Sequence, residues 1–234
     1  MSEQSHKIKL YGDTGIFIAR LIEMKDPSIE RHEVEQVLQY TMMAIKEVDE
    51  VLDATPTPEE RSQIALLLID QLFTDAEIDA SQKSFPFLFL KYYTASFSLD
   101  TLSKIRSKAK LLFQATELVK SSPSVLEFVQ STLHEGYATI DFLISIVESD
   151  IDQREIMHIK EWLILVAQAA NIFDSLVDIE EDRKNNQNNH HSRLSLAAAL
   201  TATFVLKSLT VLPKMPKGVI TKIAKHVVRD FKKM

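Results

Sequence analysis

The sequence predicts an all-α fold: a single-domain antiparallel bundle of about eight helices spanning residues 1–234. Three observations carry that prediction. Apolar residues recur at three- and four-residue intervals along most of the chain, the spacing that lines one face of a helix. Glycine occurs only at Gly12, Gly15, Gly136 and Gly218, too sparsely for a strand-and-turn protein. The breaks between periodic stretches carry helix-start chemistry, most clearly at Thr57-Pro58-Glu59-Glu60. No composition shift marks a domain boundary.

Taken in order, residues 15–24 form a short apolar helix ended near Pro27. Residues 28–53 place Val34, Val37, Leu38, Met42, Ile45, Val48 and Leu52 on one amphipathic face. Thr57 caps a third helix that runs through an apolar stretch to Asp79. Residues 84–97 are rich in aromatic side chains, with Pro86 in the first turn, and read as core. Residues 99–120 are amphipathic, and Lys104, Arg106, Lys108 and Lys110 read as a solvated face. After a break at Ser121-Ser122-Pro123-Ser124 comes a helix over 125–147, in which Gly136 permits a close approach. A long helix spans 151–185, with Asp152 as cap and Glu155 at the capping-box position. Residues 192–212 are apolar throughout and are expected to be buried; Pro213 and Pro216 end them. Residues 216–233 form a basic amphipathic tail helix.

Composition excludes several function classes. Without cysteine there is no zinc ribbon, disulfide framework or thiol nucleophile, which fits a reducing compartment. No glycine-rich loop cradles a phosphate. A net charge of −6 gives no overall footprint for duplex nucleic acid. The N-terminal residues lack a signal-peptide apolar run, and no apolar run reaches the ~18 residues of a membrane span. A cytoplasmic protein is expected.

The chemistry concentrates at two acidic helix ends. Asp174, Asp178 and Asp182 are spaced four residues apart. Each such step turns a helical side chain by about 40°, so the three carboxylates form one stripe. The stripe lies toward the C-terminal end of an apolar helix, where the macrodipole already concentrates negative charge. Water or a cation must offset it. Asp75 and Asp79 repeat the four-residue spacing after the third helix. Mg²⁺ takes one or two carboxylates together with phosphate oxygens and water. Two such ends facing each other would hold a diphosphate and favour its departure, with Arg183 and Lys184 sharing the charge.

Asp174-Ser-Leu-Val-Asp178-Ile-Glu-Glu-Asp182-Arg183 resembles the second aspartate-rich motif of class I isoprenoid (terpenoid) synthases. The likeness is nearest to squalene/phytoene synthases and bacterial large terpene synthases, and Asp75-Ala-Glu-Ile-Asp79 stands where a first motif could be. The resemblance implies a terpenoid-synthase-like bundle and an Mg²⁺-dependent transferase or lyase that binds and ionises a prenyl diphosphate. It further implies metal ligation by Asp75, Asp79, Asp174, Asp178 and Asp182, with Arg183 and Lys184 contacting the diphosphate.

A second account of the same residues stands beside it. Asp75-Ala-Glu-Ile-Asp79 and Glu148-Ser-Asp-Ile-Asp152 share one pattern after an apolar helix, as in TerB-like helical modules, or as a helix cap used twice. On that reading the chain is a non-catalytic binding module responsive to divalent ions. A single Glu155-x-x-His158 pair is too little for a di-iron site. Lys214, Lys217, Lys222, Lys225, Arg229, Lys232 and Lys233 interleave with apolar residues in the tail. Such a helix can pack on the bundle or touch an anionic membrane peripherally. The sequence leaves a homo-oligomer open.

Overall fold

The computed structural model describes residues 3–25, 31–74, 83–148, 156–177, 179, 192–211 and 213. Eight helices and no strand occur among the described residues. They are α1 (Glu3–Lys25), α2 (Arg31–Asp53), α3 (Pro58–Phe73) and α4 (Phe85–Thr94). Then follow α5 (Leu99–Ser121), α6 (Val125–Val147), α7 (Ile156–Val177) and α8 (Arg193–Val211).

The expected caps are in place where they are described. Thr57 accepts from the Glu60 amide and donates its hydroxyl to the Glu60 carboxylate, an N-cap at the start of α3. Ser84, Ser98 and Ser124 cap α4, α5 and α6 in the same way. The helix expected to start at residue 15 instead starts at Glu3, because Gly12 and Gly15 lie inside it. A Cβ on Gly15 would come within 2.3 Å of the Leu38 carbonyl oxygen. The glycine is kept for backbone contact between α1 and α2, which outweighs its poor helix propensity.

Side-chain pairs set the helix directions. Arg61 with Glu117 and Asp70 with Arg106 make α3 and α5 antiparallel. Thr116 with Glu135 and Lys104 with Glu148 do the same for α5 and α6. Asn171 with Glu135 and Lys160 with Asp141 set α7 antiparallel to α6, and Lys207 with Gln168 and Phe204 with Phe173 set α8 antiparallel to α7. Helix α4 runs in the sense of α3: it begins at Glu47 through Ser84 and reaches Thr74 through Lys91. Lys120 bonds Asp53, so α2 finishes where α5 finishes.

The larger core joins α1 to α7 around Leu38, Ile105, Leu143, Ile146 and Leu163; a second packs Phe128, Ile172, Leu196 and Leu200 between α6, α7 and α8. Aromatic α4 contributes Phe87 and Leu90 to the core and a chain of ring contacts from Tyr40 through Phe89 and Tyr93 to Phe97.

Three expectations change. The basic residues of α5 are not simply solvated: Lys104, Arg106 and Lys108 pair with Glu148, Asp70 and Asp141 on neighbouring helices. Asp141 is 3% exposed and is held between Lys108 and Lys160. Burial alone would raise its pKa, but hydrogen bonds and charge from both lysines outweigh that and hold the carboxyl below its ordinary value. The second is that α8 is not buried. It packs through Leu196, Leu200 and Val211, while Leu194, Leu206 and Leu209 are 82%, 66% and 64% exposed. With Arg193 and Lys207 its only charges, this 19-residue helix is by length and composition apolar enough to cross a membrane, contrary to the expectation that no such stretch exists.

Candidate functional site

Helices α2, α5 and α7 run in one sense, so their C-terminal ends share one end of the bundle. Asp49 and Asp53 stand one helical turn apart at the end of α2, on a common face. Lys46 binds Asp49 at 2.7 Å, and Lys120 of α5 binds Asp53 at 2.6 Å with Asp49 at 3.9 Å. Arg61, from the start of α3, forks onto Glu117 at 2.9–3.1 Å and donates to the Thr55 carbonyl at 3.3 Å. Three carboxylates and three cations thus meet where α2 and α5 finish and α3 begins.

A polar seam leads inward from there. Thr116 donates to Glu135 Oε1 at 3.0 Å, and Asn171 of α7 lies 3.4 Å from Oε2. Gln168 donates to the Leu133 carbonyl at 3.1 Å and accepts from Lys207 at 2.7 Å. Gly136 allows this: a Cβ there would sit 3.0 Å from the Gln168 amide nitrogen. Residues 164–168 of α7 are all partly accessible, as are 45–50 of α2. Ile45, Leu112, Phe113, Ile164 and Ala167 pack on the core yet remain partly accessible. Glu135 and these partly accessible apolar residues lie inward of the acidic end where α2 and α5 finish.

Glu135 is enclosed enough that burial raises its pKa, against the bonds from Thr116 and Asn171 that lower it. The sign follows from linkage. A carboxyl with a raised folded pKa binds more protons folded than unfolded, so stability falls as pH rises from the unfolded value through the folded one. Glu135→Gln should therefore raise the melting temperature at pH 8, and the advantage should shrink toward pH 4. A parallel gain at all pH values would show that Glu135 titrates normally.

The sequence-predicted residues divide between the two ends. Asp174 is exposed on α7, three residues beyond Asn171, at the same end as Asp49 and Asp53. Asp75, Asp79, Asp178, Asp182, Arg183 and Lys184 lie outside the described residues. Thr74, which immediately precedes Asp75, sits at the end where α7 begins: Phe73 packs on Phe142, one residue from the Asp141 that holds Lys160. Asp174 is fourteen residues along from Lys160, about 21 Å of helix. The described ends of α3 and α7 therefore face opposite ends of the bundle. Asp49 and Asp53 were not singled out from the sequence. They carried a legible signal, the same four-residue acidic spacing at a helix end, hidden because Val48 and Leu52 marked that stretch as packing surface.

Among the described residues no group of three or more His, Asp or Glu forms a cation site by itself. Asp49 and Asp53 supply two carboxylates, the number Mg²⁺ takes when phosphate oxygens and water complete its shell. Among known proteins, no family model, curated protein or solved structure matches the chain.

Proposed function

We propose that the chain is an Mg²⁺-dependent class I isoprenoid synthase whose diphosphate site lies at the end shared by α2 and α7. The observation that supports this most is the parallel course of those helices. It brings the Asp49/Asp53 pair and Asp174 to one end of the bundle, beside the partly accessible apolar residues of α2, α5 and α7. On this reading Asp49 and Asp53 replace Asp75 and Asp79 as the first acidic pair. Asp174 leads into the second, with Asp178, Asp182, Arg183 and Lys184 following in sequence.

Mg²⁺ bound at this end would neutralise the diphosphate and act as Lewis acid toward its departure. The residues of the chain do the rest. Asp49 and Asp53 would hold the cation, and Lys120, which bonds Asp53 and lies 3.9 Å from Asp49, would contact phosphate oxygens. Arg61 and Thr55 fix where α2 ends relative to α3, and so fix the pair. The Ile45, Leu112, Phe113, Ile164 and Ala167 surface receives an apolar tail and keeps water from the carbocation left behind.

The test is turnover of prenyl diphosphates of several lengths with Mg²⁺. Asp49→Asn and Asp53→Asn should each lower turnover by at least ~100-fold, while Asp75→Asn and Asp79→Asn stay within ~3-fold of the parent. The reverse pattern would return the site to the end of α3. No product from any prenyl diphosphate would leave the helical binding module responsive to divalent ions.

A further inference from the structure

The outward face of α8 is apolar and open to water. Leu194, Ala198, Thr201, Ala202, Val205 and Leu209 form a continuous exposed stripe without a charged group. All but Leu209 line one shallow groove along the helix. A face of this kind is costly in water and calls for a partner.

We propose that the partner is a second copy of this chain, its α8 packed antiparallel on this one about a two-fold axis between residues 201 and 202. Three features of the helix select it.

The first is that the stripe fits itself, as a two-fold contact requires. An axis at 201/202 sets Leu194 level with the partner's Leu209, Ala198 with the partner's Val205, and Thr201 with the partner's Ala202. Every position of the stripe therefore meets another position of the stripe.

The second is size. Two crossing helices are closest at the crossing point and diverge toward their ends. Thr201 and Ala202 stand at the crossing, Ala198 and Val205 next to it, and Leu194 and Leu209 at the ends. Side-chain bulk thus grows as the gap does, and small residues at the centre admit close backbone approach. The Thr201 hydroxyl can bond the Ala197 carbonyl one turn back, as Thr203 and Thr210 bond Ala199 and Leu206, so burial strands no polar group.

The third is charge. The chain carries a net charge of −6, and the stripe gives two copies a neutral seam at which to meet. A lipid surface fits less well, because helices that lie on one carry lysine and arginine beside the apolar face. Of the two basic residues of α8, Arg193 is at its start and Lys207 is turned inward onto Gln168. To cross a bilayer the helix would have to strip Leu196, Leu200 and Val211 from their packing.

The chain has no cysteine, so single cysteines report the geometry. In the full chain, sedimentation velocity should show a reversible dimer that grows with concentration, and Val205→Glu should weaken it at least tenfold. Oxidation of Ala202→Cys alone should link two chains, because both copies of that residue lie beside the axis. Leu194→Cys alone and Leu209→Cys alone should not. Two copies of either stand about 22 Å apart along the helices, beyond the ~7 Å that a disulfide tolerates. A mixture of these two variants should link one to the other. Far-ultraviolet circular dichroism of each reduced variant checks that it is folded. A parent chain that stays monomeric up to the millimolar range would overturn the proposal. So would a folded Val205→Glu variant that dimerises like the parent. Self-linking of Leu194→Cys as fast as Ala202→Cys would mark a parallel pair and overturn it too. Flotation of a monomer with neutral lipid vesicles would identify a bilayer as the cover instead.

Discussion

Asp141→Ala should destabilise the protein by about 3 kcal/mol in urea unfolding. Asp141 lies on α6 at 3% exposure and joins Lys108 of α5 to Lys160 of α7, so its loss strands two ammonium groups at the junction of three helices. The figure falls at the lower end for broken buried pairs because both lysines are partly exposed and can turn to water. Lys108→Ala or Lys160→Ala alone should cost less than half as much, since the remaining lysine still balances the carboxylate.

The pH dependence is distinctive. Lysine bonds and charge outweigh burial, so the folded pKa lies below the unfolded one. Its contribution is complete above about pH 4 and is lost as pH falls through the folded value. Asp141→Asn should therefore flatten the acid limb of the stability curve. An unchanged acid limb would mean that other carboxylates govern it.

Gly15→Ala should cost about 3 kcal/mol, opposite in sign to the usual effect of alanine in a helix. At an open helical position alanine gains up to ~1 kcal/mol over glycine. At Gly15 the new methyl meets the Leu38 carbonyl oxygen at 2.3 Å and the Gln39 Cα at 2.8 Å, and backbone cannot turn aside. Helices α1 and α2 must separate, opening the contacts of Ile18, Leu38 and Ile22. Gly12→Ala is the control. Its methyl would meet only the flexible side-chain ends of Met43 and Gln39 at 3.0–3.4 Å, so it should be neutral or slightly stabilising. Equal losses at both positions would remove the close helix crossing as the reason for glycine.

Much of the fold was readable because helix signals are local. The Thr57 cap, Ser84 before Pro86, and the 3.6-residue periodicity of 31–53 specify α2, α3 and α4 without reference to the rest of the chain. The start of α1 was not readable: two glycines look like weak helix wherever their purpose is contact with a distant segment. Nor was the exposure of α8, since apolar composition tells what a surface would prefer to meet, not what it meets.

The site was harder for a topological reason. In an alternating bundle α3 and α7 would run the same way and their acidic ends would meet. Helix α4 repeats the direction of α3, and that reverses the parity. Direction is set by long-range pairs such as Lys120 with Asp53, which no local pattern encodes. Asp174 and its neighbours were marked by spacing alone; that Asp49 and Asp53 stand at the same end of the bundle as Asp174 follows only from the helix directions.

On the proposed function, the end of the bundle shared by α2 and α7 binds a cation and a diphosphate together. Thermal unfolding in MgCl₂ alone, in inorganic diphosphate alone and in both tests it most directly, because a ligand of the folded state raises its stability by mass action. The account predicts a clear rise in melting temperature only with both present, abolished in the Asp49→Asn, Asp53→Asn double variant. No rise with both, or a rise that the double variant retains, would contradict it.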